Sequence, residues 1–317
     1  MKKWFKRILI LLIFLISGWI VLRATGLKFF KIPTRSMENA IPMGSRIMVW
    51  NKNFKPERFE IIVYHNPDYD TVLVQNKAIS YYTAVRMWGQ ETVKSRYTWQ
   101  YVPLGKREHF VGRCVGLPGD KLIIINGQLY VNGKLYENDN LKEKFALKPT
   151  GSEFLSKKLI ESKGIDDAEI TRNEDFYQFP ATKAQITNLL KSLKIDTSFY
   201  VIKQKGDYDK LIFPYSDNLG WNSDQFGEIQ IPQKGVELNL TLQNLPLYRR
   251  LIESFERNNI SVNDNVIFIN NNPTDKYVPK KDYYFIINDN RDNSFDSRYW
   301  GFLPEDHISG KVLKIFK

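Results

Sequence analysis

The chain has 317 residues with 46 Lys plus Arg against 35 Asp plus Glu, a formal charge of +11. Its 43% hydrophobic and 14% aromatic content can bury a real core, which excludes disorder of the whole chain and fits one large domain or two modest ones. One cysteine, Cys114, excludes a disulfide framework and a thiolate zinc cluster, three scattered histidines (His65, His109, His307) offer no metal-ligand spacing, and basic residues dispersed among carboxylates form no nucleic-acid-binding tract.

In chain order, the first feature is an uncharged apolar run from Ile8 to Leu22, preceded by Lys2, Lys3, Lys6 and Arg7 and closed by Arg23. It predicts one N-terminal transmembrane helix. The run is shorter than the roughly 20 residues of a bilayer span, and a snorkelling Arg23 extends it toward Leu27. The competing reading is a cleaved leader, with small residues at Ala24-Thr25-Gly26. Under either reading the basic flank stays cytoplasmic and everything after Arg23 is exported.

Arg46 to Trp50, Phe59 to Tyr64, His109 to Val115 and Lys121 to Tyr136 read as strands, rich in Ile, Val and aromatics. The last stretch contains Asn126-Gly127 and Asn132-Gly133, dipeptides that favour tight hairpin turns. Further on, Ile186, Leu189, Leu190 and Leu193 fall at helical spacing, as do Tyr248, Leu251, Ile252 and Phe255, with Asn244-Leu245-Pro246 as a start signal for the second helix. Strand signals resume at Asn265 to Asn270 and Tyr283 to Ile287. The fold class predicted is mainly β. Its parts are a basic flank and anchor (1–27), a β body (28–137 and 263–317), and an inserted α/β subdomain (138–262).

Three polar, turn-rich segments border predicted strands. They are Pro33-Thr34-Arg35-Ser36-Met37-Glu38-Asn39, Val111 to Asp120 with its Gly116-Leu117-Pro118-Gly119-Asp120 turn, and Asp289-Asn290-Arg291-Asp292-Asn293-Ser294-Phe295-Asp296-Ser297-Arg298-Tyr299-Trp300-Gly301-Phe302. In this order, behind a basic apolar N-terminus, they resemble the sequence boxes of type I signal peptidases, membrane-bound Ser/Lys proteases that remove signal peptides from exported proteins. The resemblance covers roughly Ile32 to Asn66, Phe110 to Tyr136 and Tyr283 to Lys314.

The resemblance implies Ser36 as nucleophile, and Thr34 with the Ser36 backbone N–H as the oxyanion hole. Arg113 and Asp289 correspond to structural residues, Ser294 to a serine that hydrogen-bonds the catalytic lysine, and Asp296 with Arg298 to a loop-shaping ion pair. Met37 and Asn288 fall beside the implied substrate groove. No metal or organic cofactor is implied. The implied partners are signal peptides with small residues at the cleavage site, the lipid bilayer, and an active paralogous signal peptidase; the implied place is the plasma (inner) membrane, single-pass, with the bulk on the exported, periplasmic side.

The chain departs from the family at one decisive position. The general-base lysine that should precede Arg113 is Gly112, and a serine without a base is a weak nucleophile. His109 lies at an odd offset along the strand, hence on its other face, Lys106 lies six residues off, and Arg35 stays protonated. Asn288 replaces the glycine usual before Asp289, and Arg35 replaces a small residue. Two expectations follow: a signal-peptidase-like serine endopeptidase using a base from another position, or a catalytically impaired paralogue that binds signal peptides or a partner peptidase without cutting.

Overall fold

A computed structural model of the chain describes residues 26–52, 54–148, 156–172, 176–193 and 198–317, with Trp4, Phe5, Arg7, Ile8, Ile10 and Leu12 of the N-terminal segment. The anchor expected at Ile8 to Leu22 lies largely outside the described residues. Among those described, no helix is long and apolar enough to cross a membrane.

The architecture is mainly β. A seven-stranded sheet runs in the order Leu27–Lys31, Arg46–Trp50, Ile308–Phe316, Ile61–His65, His109–Gly116, Tyr283–Ile286 and Leu303–Pro304. Every pairing is antiparallel, and the register sets Ile62 opposite Gly112 and Ile61 opposite Arg113. Alternation along Arg46–Trp50 sends Ile47 and Val49 into a core with Ile32, Met37, Ile41 and Val63. The other side of the sheet packs Tyr64, Cys114, Ile286 and Trp300. Between them these two layers hold the ends of all three polar segments.

The hairpins form where the turn dipeptides lie. Asn126 and Gly127, and again Asn132 and Gly133, all take positive φ, the conformation that two-residue hairpin turns require and Asn and Gly tolerate. Lys121–Ile125 therefore folds onto Gln128–Val131, and Val131 pairs with Lys134.

Within the expected insertion, two parts behave differently. Strands Glu143–Leu147 and Tyr177–Ala181 and helix Lys183–Leu193 enclose their own core of Phe145, Phe179, Ile186 and Leu189. The helix opens on a capping box: Gln185 N donates to Thr182 Oγ1 at 3.2 Å, and Thr182 N to Gln185 Oε1 at 2.9 Å. Phe226–Gln230, by contrast, pairs with Lys121–Ile125, and Leu245, Tyr248, Leu251 and Ile252 pack into the core shared by the hairpins and Phe285. The helix starting at Leu245 continues past Arg250 as wider turns to Phe255.

Residues 66–108 form an excursion between two neighbouring strands of the main sheet, with helices Tyr81–Trp88 and Gln90–Arg96 and a small pair of strands, Thr71–Leu73 and Trp99–Tyr101.

Candidate active site

Ser36 sits in the turn that follows the edge strand Leu27–Lys31. Met37 and Ile41 are fully buried, and Ile41 N donates to Met37 O at 2.7 Å, so two apolar anchors hold the segment that immediately follows Ser36. The Thr34 and Ser36 hydroxyls lie 3.3 Å apart. Both line a cleft of about 390 Å³ with Phe30, Val63, Asn288 and Ser294. Met37 does not line that cleft: its place in the groove, expected from the sequence, is corrected to the core, because the turn directs it beneath the sheet with Ile32 and Ile47. Asn288 does line it.

The second segment supplies Arg113, whose Nε and Nη2 grip both oxygens of Asp289 at 2.7 and 2.6 Å, while its Nη1 donates to Phe59 O at 2.8 Å. Asn138 Nδ2 adds a third donor to Asp289 at 2.7 Å. Asp120 closes the Leu117-Pro118-Gly119 turn by accepting from Leu117 N at 2.6 Å and from Arg58 and Asn132. The Cys114 thiol is buried, which pushes its pKa up and leaves it protonated and inert.

In the third segment Asp296 is the hub. Arg298 reaches Oδ1 and Oδ2 at 2.9 Å each, Asn288 N donates at 3.1 Å, and Ser294 Oγ donates at 3.1 Å. Burial works to raise the Asp296 carboxyl, and the Arg298 guanidinium with these hydrogen bonds outweighs it, holding the group below the usual carboxylate range. Ser294 reaches the cleft with its hydroxyl tied to this ion pair.

Gly112 is filled over. A Cβ built there would lie against Asn288 Oδ1, 2.5 Å from Ile286 Cγ2 and 3.3 Å from Tyr64 Cε1. The two positions at which the sequence departs from the boxes it resembles therefore meet in space, and the Asn288 side chain takes up part of the room beside Gly112. Asn288 Oδ1 and the Tyr64 hydroxyl are both buried without a hydrogen-bond partner. No titratable side chain stands at residue 112 itself. The titratable residues lining the cleft with Ser36 are Lys31, Glu108 and His109. His109 shares that cleft despite its odd offset from Gly112, because the opening runs across the end of the strand rather than along one face. Burial and the neighbouring His65 lower its pKa to about 4, so the imidazole is neutral at pH 7.

Several residues that hold the site carry no sequence motif. Glu169, from the expected insertion, accepts from Asn290 and Asn293 of the third box and from Lys142, and Arg35 pairs with Asp166. Only the density of amides at Asn290 and Asn293 hints at such partners in the sequence. Among the described residues, no cluster of His, Cys, Asp or Glu has the arrangement of a metal site.

A sequence profile of the family described as "Signal peptidase, peptidase S26" matches residues 1–188 and 228–316. Curated relatives include the Signal peptidase I of Buchnera aphidicola subsp. Schizaphis graminum, 32% identical over 146 residues, 43% of this chain and 46% of that protein. The Signal peptidase I of Aquifex aeolicus is 54% identical over 41 residues, 13% of this chain and 16% of that protein. The chain thus aligns over less than half the length of these relatives. A crystal structure of a signal peptidase I from Enterococcus faecalis V583 superposes with a TM-score of 0.27 at 15% identity, covering 82% of this chain and 98% of that one.

Proposed function

This chain belongs to the signal peptidase family, peptidase S26, and from that premise we propose that it is a serine endopeptidase removing signal peptides from exported preproteins at the membrane surface. The observation that carries the reading is the pair of hydroxyls, Thr34 and Ser36, 3.3 Å apart in a mostly apolar cleft. An extended peptide with small side chains lies in that cleft, and Ser36 Oγ attacks the scissile carbonyl. Negative charge develops on the carbonyl oxygen as the C–O bond forms. The Thr34 hydroxyl and the Ser36 N–H are the donors assigned to it, and one such donor contributes about 3–4 kcal/mol of barrier lowering. Asp296, Arg298, Arg113 and Asp289 hold the walls, and Ser294 orients polar groups at the cleft's edge.

The Ser36 proton needs an acceptor other than residue 112. His109 is the uncharged imidazole lining the cleft with Ser36, and the burial that lowers its pKa to about 4 also makes it a weak base. In this reading residues 1–27 anchor the chain with the basic flank in the cytoplasm, 28–137 with 263–317 form the catalytic body on the exported side, and 138–262 are the insertion.

A second reading is favoured by one observation, the filling of the space at Gly112 by Asn288, Ile286 and Tyr64. In it the chain binds signal peptides, or an active paralogous peptidase, without cutting. Kinetics on a preprotein with an Ala-X-Ala site separate the two. The catalytic reading expects Ser36→Ala to abolish cleavage and Thr34→Val to lower kcat by about 10²–10³-fold. Tight peptide binding with no turnover by the native chain would select the second reading.

A further inference from the structure

The nucleophile turn is held from outside the catalytic boxes. Glu169, in a short helical turn of the inserted segment, has a side chain only 7% exposed, and its carboxylate receives three donors from two distant parts of the chain. Lys142 Nζ reaches Oε2 at 2.9 Å, and Asn290 Nδ2 and Asn293 Nδ2 reach Oε1 at 2.9 and 3.0 Å. Lys142 has a side-chain exposure of 1%, so the pair is shielded from water, where charged hydrogen bonds are strongest. Asn290 passes the constraint on: its backbone N donates to Ser36 O at 3.0 Å, and its Nδ2 also donates to Arg35 O at 3.2 Å. From the Glu169 carboxylate to the Ser36 peptide is therefore one intervening residue.

Other contacts run parallel to this one. Asp166, three residues before Glu169, uses Oδ1 to accept from Ala168 N at 2.8 Å and Oδ2 to pair with Arg35. Lys142 N donates to Asp289 O at 2.8 Å, and Asn39 Nδ2 donates to Asn140 O at 3.4 Å. Arg35, which looked out of place beside the nucleophile, has its partner in the insertion.

We propose that the inserted segment is a latch on the nucleophile turn, with Glu169 as a positioning residue that fixes Ser36 through Asn290. The proposal rests on the reading of Ser36 as nucleophile for its catalytic consequence, and on the hydrogen bonds alone for its structural one. Glu169→Ala removes the acceptor and strands Lys142 in a dry site. The double variant Lys142→Met/Glu169→Met removes the acceptor without leaving a buried charge, so it keeps the test usable where the single variant fails to fold. Lys142→Met/Glu169→Gln keeps an acceptor for Asn290 and Asn293 and removes the two buried charges together.

The experiment is hydrogen–deuterium exchange on the full-length chain, following 33–41 and 286–295 against the sheet segments 46–50 and 308–316, together with kcat and KM on a preprotein. In Glu169→Ala or the double Met variant, exchange of 33–41 and 286–295 rises about tenfold or more while the sheet segments stay within about twofold of native. In the same variants kcat falls about tenfold with KM nearly unchanged, and Lys142→Met/Glu169→Gln recovers most of the loss. Unchanged exchange at 33–41 in a folded variant, or an equal rise across the main sheet, overturns the latch. A native chain that does not cleave counts against Ser36 as nucleophile, and the exchange result then decides the latch alone.

Discussion

At residue 112 an absence and a presence have to be read together. That the resemblance expects a lysine where Gly112 stands is legible in the sequence, because the segment around Arg113 fixes the position. That Asn288 takes up the space is not legible, since the two residues are far apart in sequence and meet only through the pairing of His109–Gly116 with Tyr283–Ile286. The contact has a stability consequence. Gly112→Ala forces its methyl onto Asn288 Oδ1 and Ile286 Cγ2, and overpacking of this kind costs about 1–3 kcal/mol. Adding Asn288→Gly returns part of that cost, so the two substitutions are non-additive in a double-mutant cycle read by urea unfolding. The same geometry says that Gly112→Lys alone does not install a working base, and that the pair Gly112→Lys/Asn288→Gly cuts faster than either single variant.

At the scale of elements, legibility followed local chemistry. The Asn-Gly turns announce their hairpins because few residues tolerate both positive φ values. Helix Lys183–Leu193 announces itself by its apolar stripe. The 66–108 excursion does not, because its helices Tyr81–Trp88 and Gln90–Arg96 are short and pack on a small core of their own, Leu73, Ala84 and Val93. What ties that excursion down is polar. Asp68, fully buried, accepts from Ser80 Oγ, Thr83 Oγ1 at 2.9 Å, Arg86 Nη2 at 3.0 Å and Arg250 Nη1 at 2.8 Å, joining the first helix of the excursion to Leu245–Arg250. Burial works to raise its carboxyl, and Arg86 and Arg250 outweigh it and hold it below the ordinary range. Asp68→Ala leaves the Arg86 and Arg250 guanidinium groups partly desolvated without their shared counter-charge, with Asp70 at 3.9 Å remaining beside Arg250. A loss of about 3–5 kcal/mol is expected in chemical denaturation, with 66–108 losing amide protection before the main sheet.

For the whole molecule, the two-part behaviour of residues 138–262 escapes sequence reading because strand partners are non-local. Phe226–Gln230 carries no mark that its neighbour is Lys121–Ile125. Another long-range tie makes stability depend on pH. His307 accepts from Arg107 Nη1 through Nε2 at 3.0 Å, a bond available only to the neutral ring. Burial, with Arg107 and Lys281 nearby, lowers its pKa from 6.5 to about 3. The folded value lies below the unfolded one, so this contribution is fully present above the 6.5 of an unperturbed histidine and is lost as pH falls toward 3. The slope is up to about 1.4 kcal/mol per pH unit from this group. Tm measured from pH 7 down to 4 therefore falls steadily, and His307→Gln flattens the curve. The central claim, that the chain cuts preproteins with Ser36, is tested most directly with the native full-length chain in lipid and a preprotein carrying an Ala-X-Ala site, the new N-terminus being read by mass spectrometry. One cut immediately after the second alanine, absent with Ser36→Ala, is the predicted result; an intact preprotein that nevertheless binds the native chain contradicts it.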